Sequence, residues 1–86
     1  MKNKICVVTG ANRGIGQATA LGLAQRGATV IMIGRQRDRL ETAASDIRSI
    51  SGNSQVDVQT ADLATIKSIR ELADRLRAAY PRIHVL

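Results

Sequence analysis

The sequence predicts an open α/β fold, a parallel sheet with helices on both faces, and three observations carry that prediction. Short apolar runs alternate with longer amphipathic stretches along the whole chain. The first two runs are rich in β-branched residues and apolar on both faces, as strands buried between two helix layers are. The first run ends in a cluster of glycines that leads directly into a helical stretch. The resulting order, β-α-β-α-β-α-β, is the N-terminal portion of such a fold.

Each element has its own signal. Lys4 to Thr9 is a β-branched apolar run ending at Gly10, a buried strand. A helix follows from Gly14 and stops at Gly27, with Ala18, Leu21 and Ala24 as its small apolar face. Gly22 inside it costs roughly 1 kcal/mol relative to alanine, and its missing side chain suits close packing on the sheet. Thr29 to Ile33 is a second strand, stopped by Gly34. Arg37 to Ile50 places Leu40, Ala43, Ala44, Ile47 and Ile50 on one helical stripe. Residues 51–54 (S-G-N-S) signal a turn, and Gln55 to Thr60 alternates with Val56 and Val58 on one face. Thr65 is a good N-cap for a third helix whose apolar face is Ile66, Ile69, Ala73 and Leu76. Tyr80-Pro81 ends that helix, and Ile83 to Leu86 opens a fourth strand. Right-handed crossovers order the strands 3-2-1, with the fourth beside the first.

Composition narrows the function classes. The 86 residues are 44% hydrophobic and 23% charged, ordinary globular usage, and amount to one domain at most. No apolar run approaches the roughly 18 residues of a membrane span, and Ile5 to Val8 is too short for a signal peptide, so a cytoplasmic protein is expected by default. The single cysteine, Cys6, reads as a small buried hydrophobe, and the single histidine, His84, lacks partners for a metal site. A net charge of +6 raises the question of nucleic acid. The arginines are interspersed with acidic residues on helices, and Tyr80 is the only aromatic, so no stacking platform exists and nucleic acid is not expected.

The glycine loop, Thr9-Gly10-Ala11-Asn12-Arg13-Gly14-Ile15-Gly16, is the feature that carries chemistry. A helix start after a buried strand offers unpaired N–H groups and a partial positive charge, and pyrophosphate binds there if the backbone can come close. Gly10 permits the sharp turn, Gly14 the approach of phosphate, and Gly16 tight packing of the helix on the sheet. The alternative is a structural turn that binds nothing. A P-loop is disfavoured, because no G-K-[ST] is present. At the end of the second strand an acidic residue suits the ribose 2′-hydroxyl of NAD, and an arginine suits the 2′-phosphate of NADP. Here Ile33-Gly34-Arg35-Gln36-Arg37 has no carboxylate before Asp38, so NADP(H) is favoured over NAD(H), with Arg35 and the loop's Arg13 as the cations. Arg37 and Arg39 read as a solvated helix face. Asp62, at the end of the third strand, either hydrogen-bonds the adenine amino group or shapes the turn before the third helix.

These residues resemble the short-chain dehydrogenase/reductase family. The resemblance rests on T-G-A-N-R-G-I-G at 9–16, R-G-A-T-V at 26–30 and A-D-L at 61–63, in order and at family-like spacing. Gly34-Arg35 and S-I-R-E-L at 68–72 are most similar to the retinol-dehydrogenase-like subgroup. It implies a Rossmann-type fold in which Gly10, Gly14, Ile15 and Gly16 contact the cofactor phosphates. Asn12 and Arg13 would then lie along the adenosine ribose, Arg35 at the 2′-phosphate, and Asp62 with Leu63 at the adenine. Hydride transfer between NADP(H) and an alcohol, aldehyde or ketone is the implied reaction. The family's serine, Tyr-x-x-x-Lys pair and asparagine lie beyond the fourth strand, so no catalytic residue is expected within these 86. Tyr80 does not substitute, since His84 stands four residues on and Pro81 breaks the helix. The chain is thus expected to be the dinucleotide-binding part of an incomplete domain, with a non-catalytic remnant that binds NADP(H) or a partner as the alternative. Exposed sheet edges predict a homo-oligomer or association with a missing C-terminal part.

Overall fold

The structure is a computed structural model that describes residues 4–10, 14–62, 64–80 and 84–85. Four strands and three helices alternate: β1 (Ile5–Thr9), α1 (Gly14–Gln25), β2 (Thr29–Gly34), α2 (Arg37–Ser51), β3 (Val56–Thr60), α3 (Ile66–Ala79) and β4 (His84–Val85). All pairings are parallel and the sheet order is β3-β2-β1-β4, as the crossover rule requires. Ile83, Leu86 and Pro81, named in the sequence reading, lie outside the described residues.

Strand alternation divides the core into two layers. Cys6, Val8, Val30, Met32, Val56 and Val58 point to one face, where Ala20, Leu23 and Ala24 of α1 and Leu40, Ala43, Ala44 and Ile47 of α2 cover them. Val7, Ile31 and Ile33 point to the other face and meet Leu72 and Leu76 of α3. Both β1 and β2 are therefore buried on both faces, and Cys6 is a fully buried hydrophobe whose thiol pKa is raised by that burial.

Three expectations about faces need correction. In α1 the buried set is Ala20, Leu23 and Ala24; Ala18 is exposed and Leu21 only half-buried. That helix is apolar nearly all round, so its periodicity selects no face. Gly22 does not pack on the sheet, since a Cβ there would meet no described atom within 4 Å. Ile50 is exposed although it falls near the buried Ala43 round the axis, and it stands one residue before the end of α2. In α3 the buried residues are Leu72 and Leu76, while Ile66 and Ile69 are 71% and 44% exposed. The helix packs through its C-terminal half, and its first turn stays in solvent.

Polar links hold the margins. Thr65 caps α3 as expected, its Oγ1 accepting from the Ser68 N–H at 3.2 Å. In the α2–β3 turn, Asn53 Nδ2 donates to the carbonyls of Ala24 (3.1 Å) and Ala28 (2.7 Å), which binds that turn to the end of α1. By strand alternation the carbonyls of Val56 and Thr60 point away from β2, along the open side of β3. An arginine from each helix layer reaches them: the Arg48 guanidinium of α2 donates to Val56 O, and Arg75 Nη2 of α3 donates to Thr60 O at 3.0 Å. Tyr80 Oη at the end of α3 donates to Asp57 Oδ2 at 2.6 Å. Among the described residues no helix is long and apolar enough to cross a membrane.

Candidate functional site

The strand register assembles the site at the carboxyl edge of the sheet. Thr9 is level with Ile33 and Gly34 with Thr60. The ladder continues one step further on both sides, with Gly10 N–H donating to Ile33 O (3.1 Å) and Ala61 N–H donating to Gly34 O (3.0 Å). Gly10, Arg35 and Asp62 therefore leave three adjacent strands side by side. Neighbouring strands lie about 4.8 Å apart, so the three chain exits span roughly 10 Å along one rim.

Gly10 has φ +63° and Gly14 φ +42°, a backbone that residues with a Cβ rarely adopt. A Cβ at either position would meet no described atom within 4 Å, so what it would intrude on is the open space in front of the loop. Gly16, the third glycine, is half-buried in the first turn of α1. Ile15 is 86% exposed at the mouth of the loop, an apolar side chain left for something else to cover. Asn12 and Arg13 lie outside the described residues, as does Leu63.

The start of α2 adds a second helix N-terminus on the same rim, since α1 and α2 both run back along parallel strands. Its N-cap Gln36 makes no side-chain capping bond. Arg37 pairs with Glu41 of the next turn at 3.4 Å, both well exposed, which is the solvated-face role expected of it. Arg35 is exposed and, among the described residues, has no hydrogen-bond or ion-pair partner. A cation without a counterion among the described residues, beside the start of α2 with no side-chain cap, is an arrangement that attracts a bound anion. Asp62 performs the turn-forming role, with Oδ1 accepting from Ala64 N–H at 2.9 Å. It remains exposed to solvent.

A shallow groove of about 350 Å³ runs between the start of α1 and the first three turns of α2, lined by Gln17, Asp38, Arg39, Thr42, Ala43 and Asp46. Its lining mixes two carboxylates with one guanidinium, which does not make it an anion site. Tyr80 is committed elsewhere. Its phenol is pushed up to about 12 by the hydrogen bond to Asp57, with burial and the Asp57 charge adding to it. Asp57 lies three residues before the carboxyl end of β3, about 10 Å from the rim. No group of His, Cys, Asp and Glu capable of holding a metal ion occurs among the described residues. Arg75 is the residue that sequence reasoning missed: its reach to a main-chain carbonyl fifteen positions away leaves no trace in periodicity.

Comparison with known proteins places this geometry. The family model for short chain dehydrogenase matches residues 4–86. Dehydrogenase/reductase SDR family member 13 of Bos taurus is 45% identical over 86 residues, and retinol dehydrogenase 11 of Mus musculus is 48% identical over 86 residues. The chain spans 23% and 27% of the length of those two relatives. A protein described as a short chain dehydrogenase from Escherichia coli CFT073, crystallised in complex with NADPH, superposes with a TM-score of 0.88. It is 38% identical, over 99% of this chain and 36% of its own. The strand order, the glycine loop and these likenesses agree: the chain belongs to the short-chain dehydrogenase family, on the side of its retinol-dehydrogenase-like members.

Proposed function

We propose that this chain forms the adenosine and pyrophosphate side of an NADP(H) site in an oxidoreductase that moves hydride between nicotinamide and an alcohol, aldehyde or ketone. The observation that carries the reading is Arg35, an exposed cation without a partner among the described residues, at the end of β2 where an NAD enzyme carries a carboxylate. Gly10, Gly14, Ile15 and Gly16 hold the pyrophosphate through main-chain N–H groups, and Arg35, with Arg13 and Asn12, holds the phosphorylated ribose. Asp62 and Leu63 border the adenine. When bound, the nicotinamide would give hydride to an aldehyde or ketone in its reduced form, or take it from an alcohol in its oxidised form. The NADPH held by the Escherichia coli relative supports the choice of cofactor.

The serine, tyrosine and lysine chemistry of the family belongs to sequence beyond the fourth strand. Residues 1–86 are on this reading the cofactor-binding portion of a longer cytoplasmic domain. The exposed Ile15, Ile66 and Ile69 support association with further protein, from the same polypeptide or a second copy. A stable, cooperative monomer in sedimentation would remove that association.

Fluorescence titration with NADPH and NADH tests the cofactor assignment. NADPH binds more tightly to the parent, and Arg35→Ala erases most of the difference. Equal affinities in the parent, unchanged by the substitution, remove the role of Arg35.

A further inference from the structure

Two of the residues assigned to the adenosine side, Arg35 and Asp62, leave neighbouring strands, and a single peptide unit lies between them. It is the Thr60–Ala61 peptide. Its N–H donates to Gly34 O, the carbonyl just before Arg35, at 3.0 Å. Its C=O points the opposite way, onto the open side of β3, where no further strand supplies a donor. Arg75 Nη2 supplies one at 3.0 Å from the third turn of α3. The peptide plane is thus clamped from both sides. Asp62 begins its own turn immediately beyond it, through the bond from Ala64 N–H.

The apolar contact of α3 is with β1 and β2, through Leu72 and Leu76 against Val7, Ile31 and Ile33. Toward β3 the helix is tied by polar links, Arg75 to Thr60 O near the rim and Tyr80 to Asp57 three residues below. Only the first acts on the chain exit that carries Asp62. With Arg75 absent, the last peptide of an edge strand keeps the bond to Gly34 and the packing of the Ala61 methyl on the cluster under α3, and the carbonyl side of its plane gains freedom to rock. Asp62 then loses its fixed distance from Arg35.

We infer that Arg75 is a positioning residue for adenosine recognition: through the Thr60–Ala61 peptide it sets the spacing of Asp62 from Arg35. The inference rests on the NADP(H) reading of the rim. It assigns to an exposed arginine outside the glycine loop a part in how tightly the 2′-phosphoadenosine end is held.

The test uses adenosine 2′,5′-bisphosphate, the adenosine end of the cofactor alone, titrated by calorimetry into the full chain. Arg75→Met should weaken its binding about three- to tenfold, less than the full worth of a charge-assisted hydrogen bond because the effect on Asp62 is indirect and the donor is exposed. Arg75→Lys, which keeps a donor in reach, restores most of the affinity. The loss persists in raised salt, where the field of an exposed charge is screened. Tyr80→Phe, which cuts the other link between α3 and β3, leaves the affinity at the parent value. Amide exchange at Ala61 quickens in Arg75→Met and not in Tyr80→Phe. Parent-like affinity in Arg75→Met overturns the inference. So does a loss that vanishes in salt, which is a field effect, or an equal loss in Tyr80→Phe, which is general loosening of α3. A parent chain that does not bind the bisphosphate defeats the cofactor reading itself, a different failure from either of these.

Discussion

The three glycines at 10, 14 and 22 separate what the loop needs for folding from what it needs for binding. Gly10 and Gly14 sit at positive φ, where a Cβ costs roughly 1–2 kcal/mol, and neither substitution creates a clash with described atoms. Gly10→Ala and Gly14→Ala should therefore each lower stability by about that amount. For a chain of this size, 1 kcal/mol corresponds to a fall in Tm of roughly 4–8 °C. Gly22 is helical and its missing Cβ points into open space, so Gly22→Ala gains about 0.5–1 kcal/mol and raises Tm. Binding should follow a different order. A methyl group at residue 10 or 14 occupies the ground a phosphate oxygen must reach, and displaces at least one charged hydrogen bond worth about 1.5–3 kcal/mol. NADPH affinity then falls roughly ten- to a hundredfold in both variants and is unchanged in Gly22→Ala. Thermal melts followed by circular dichroism and NADPH fluorescence titration measure the two quantities on the same samples. NADPH bound with parent affinity by both loop variants would refute the phosphate-cradle argument, whatever the melts showed.

Two further predictions concern stability. Asn53→Ala strips donors from the carbonyls of Ala24 and Ala28 and the acceptor from Gln55 N–H, and should cost about 2–3 kcal/mol in urea unfolding. Asn53→Asp should be worse still at neutral pH, because a carboxylate then faces two carbonyl oxygens. That placement raises the folded-state pKa of the new carboxyl, so the deficit relative to Asn53→Ala shrinks as the pH falls; a deficit independent of pH would count against it. Tyr80 is the only aromatic residue, so its ultraviolet titration reports one site, with a midpoint pushed up to about 12 by the bond to Asp57. Its folded pKa exceeds the unfolded value of about 10, so its contribution is fully present below pH 10 and is lost as pH rises through about 12. Asp57→Asn should draw the midpoint back toward 10, and Tyr80→Phe should remove the alkaline loss altogether.

The sheet order, the element types and the rim were legible in the chain because each rests on local chemistry. β-Branched runs such as Thr29 to Ile33 declare a strand buried on both faces, and Thr65 declares a cap. Gly10 and Gly14 declare backbone that turns left-handed. Helix faces were less legible. In α1, alanine, leucine and glycine surround the axis, so the side that is buried depends on where the sheet delivers the helix, and no periodicity encodes that. In α3, Ile66 and Ile69 fit an apolar stripe by spacing, yet only Leu72 and Leu76 of the helix are buried. Asp62 was half visible: its turn-forming bond follows from the residue type, and its exposure does not. Long polar side chains were not legible at all. Arg48, Asn53 and Arg75 act on main-chain carbonyls, and a carbonyl has no sequence signature.

The arginines on the carbonyls of Val56 and Thr60 also hinder growth of the sheet at one margin. A strand that tried to join beyond β3 would have to displace two guanidinium groups, one from each helix layer, before it made its first ladder bond. The open side of β3 is therefore a guarded margin of the sheet. Further chain or another molecule that enlarges the sheet meets that barrier on the β3 side. The rim from Gly10 to Asp62 thus ends at a strand held as the last of its row, and its width stays that of three strands.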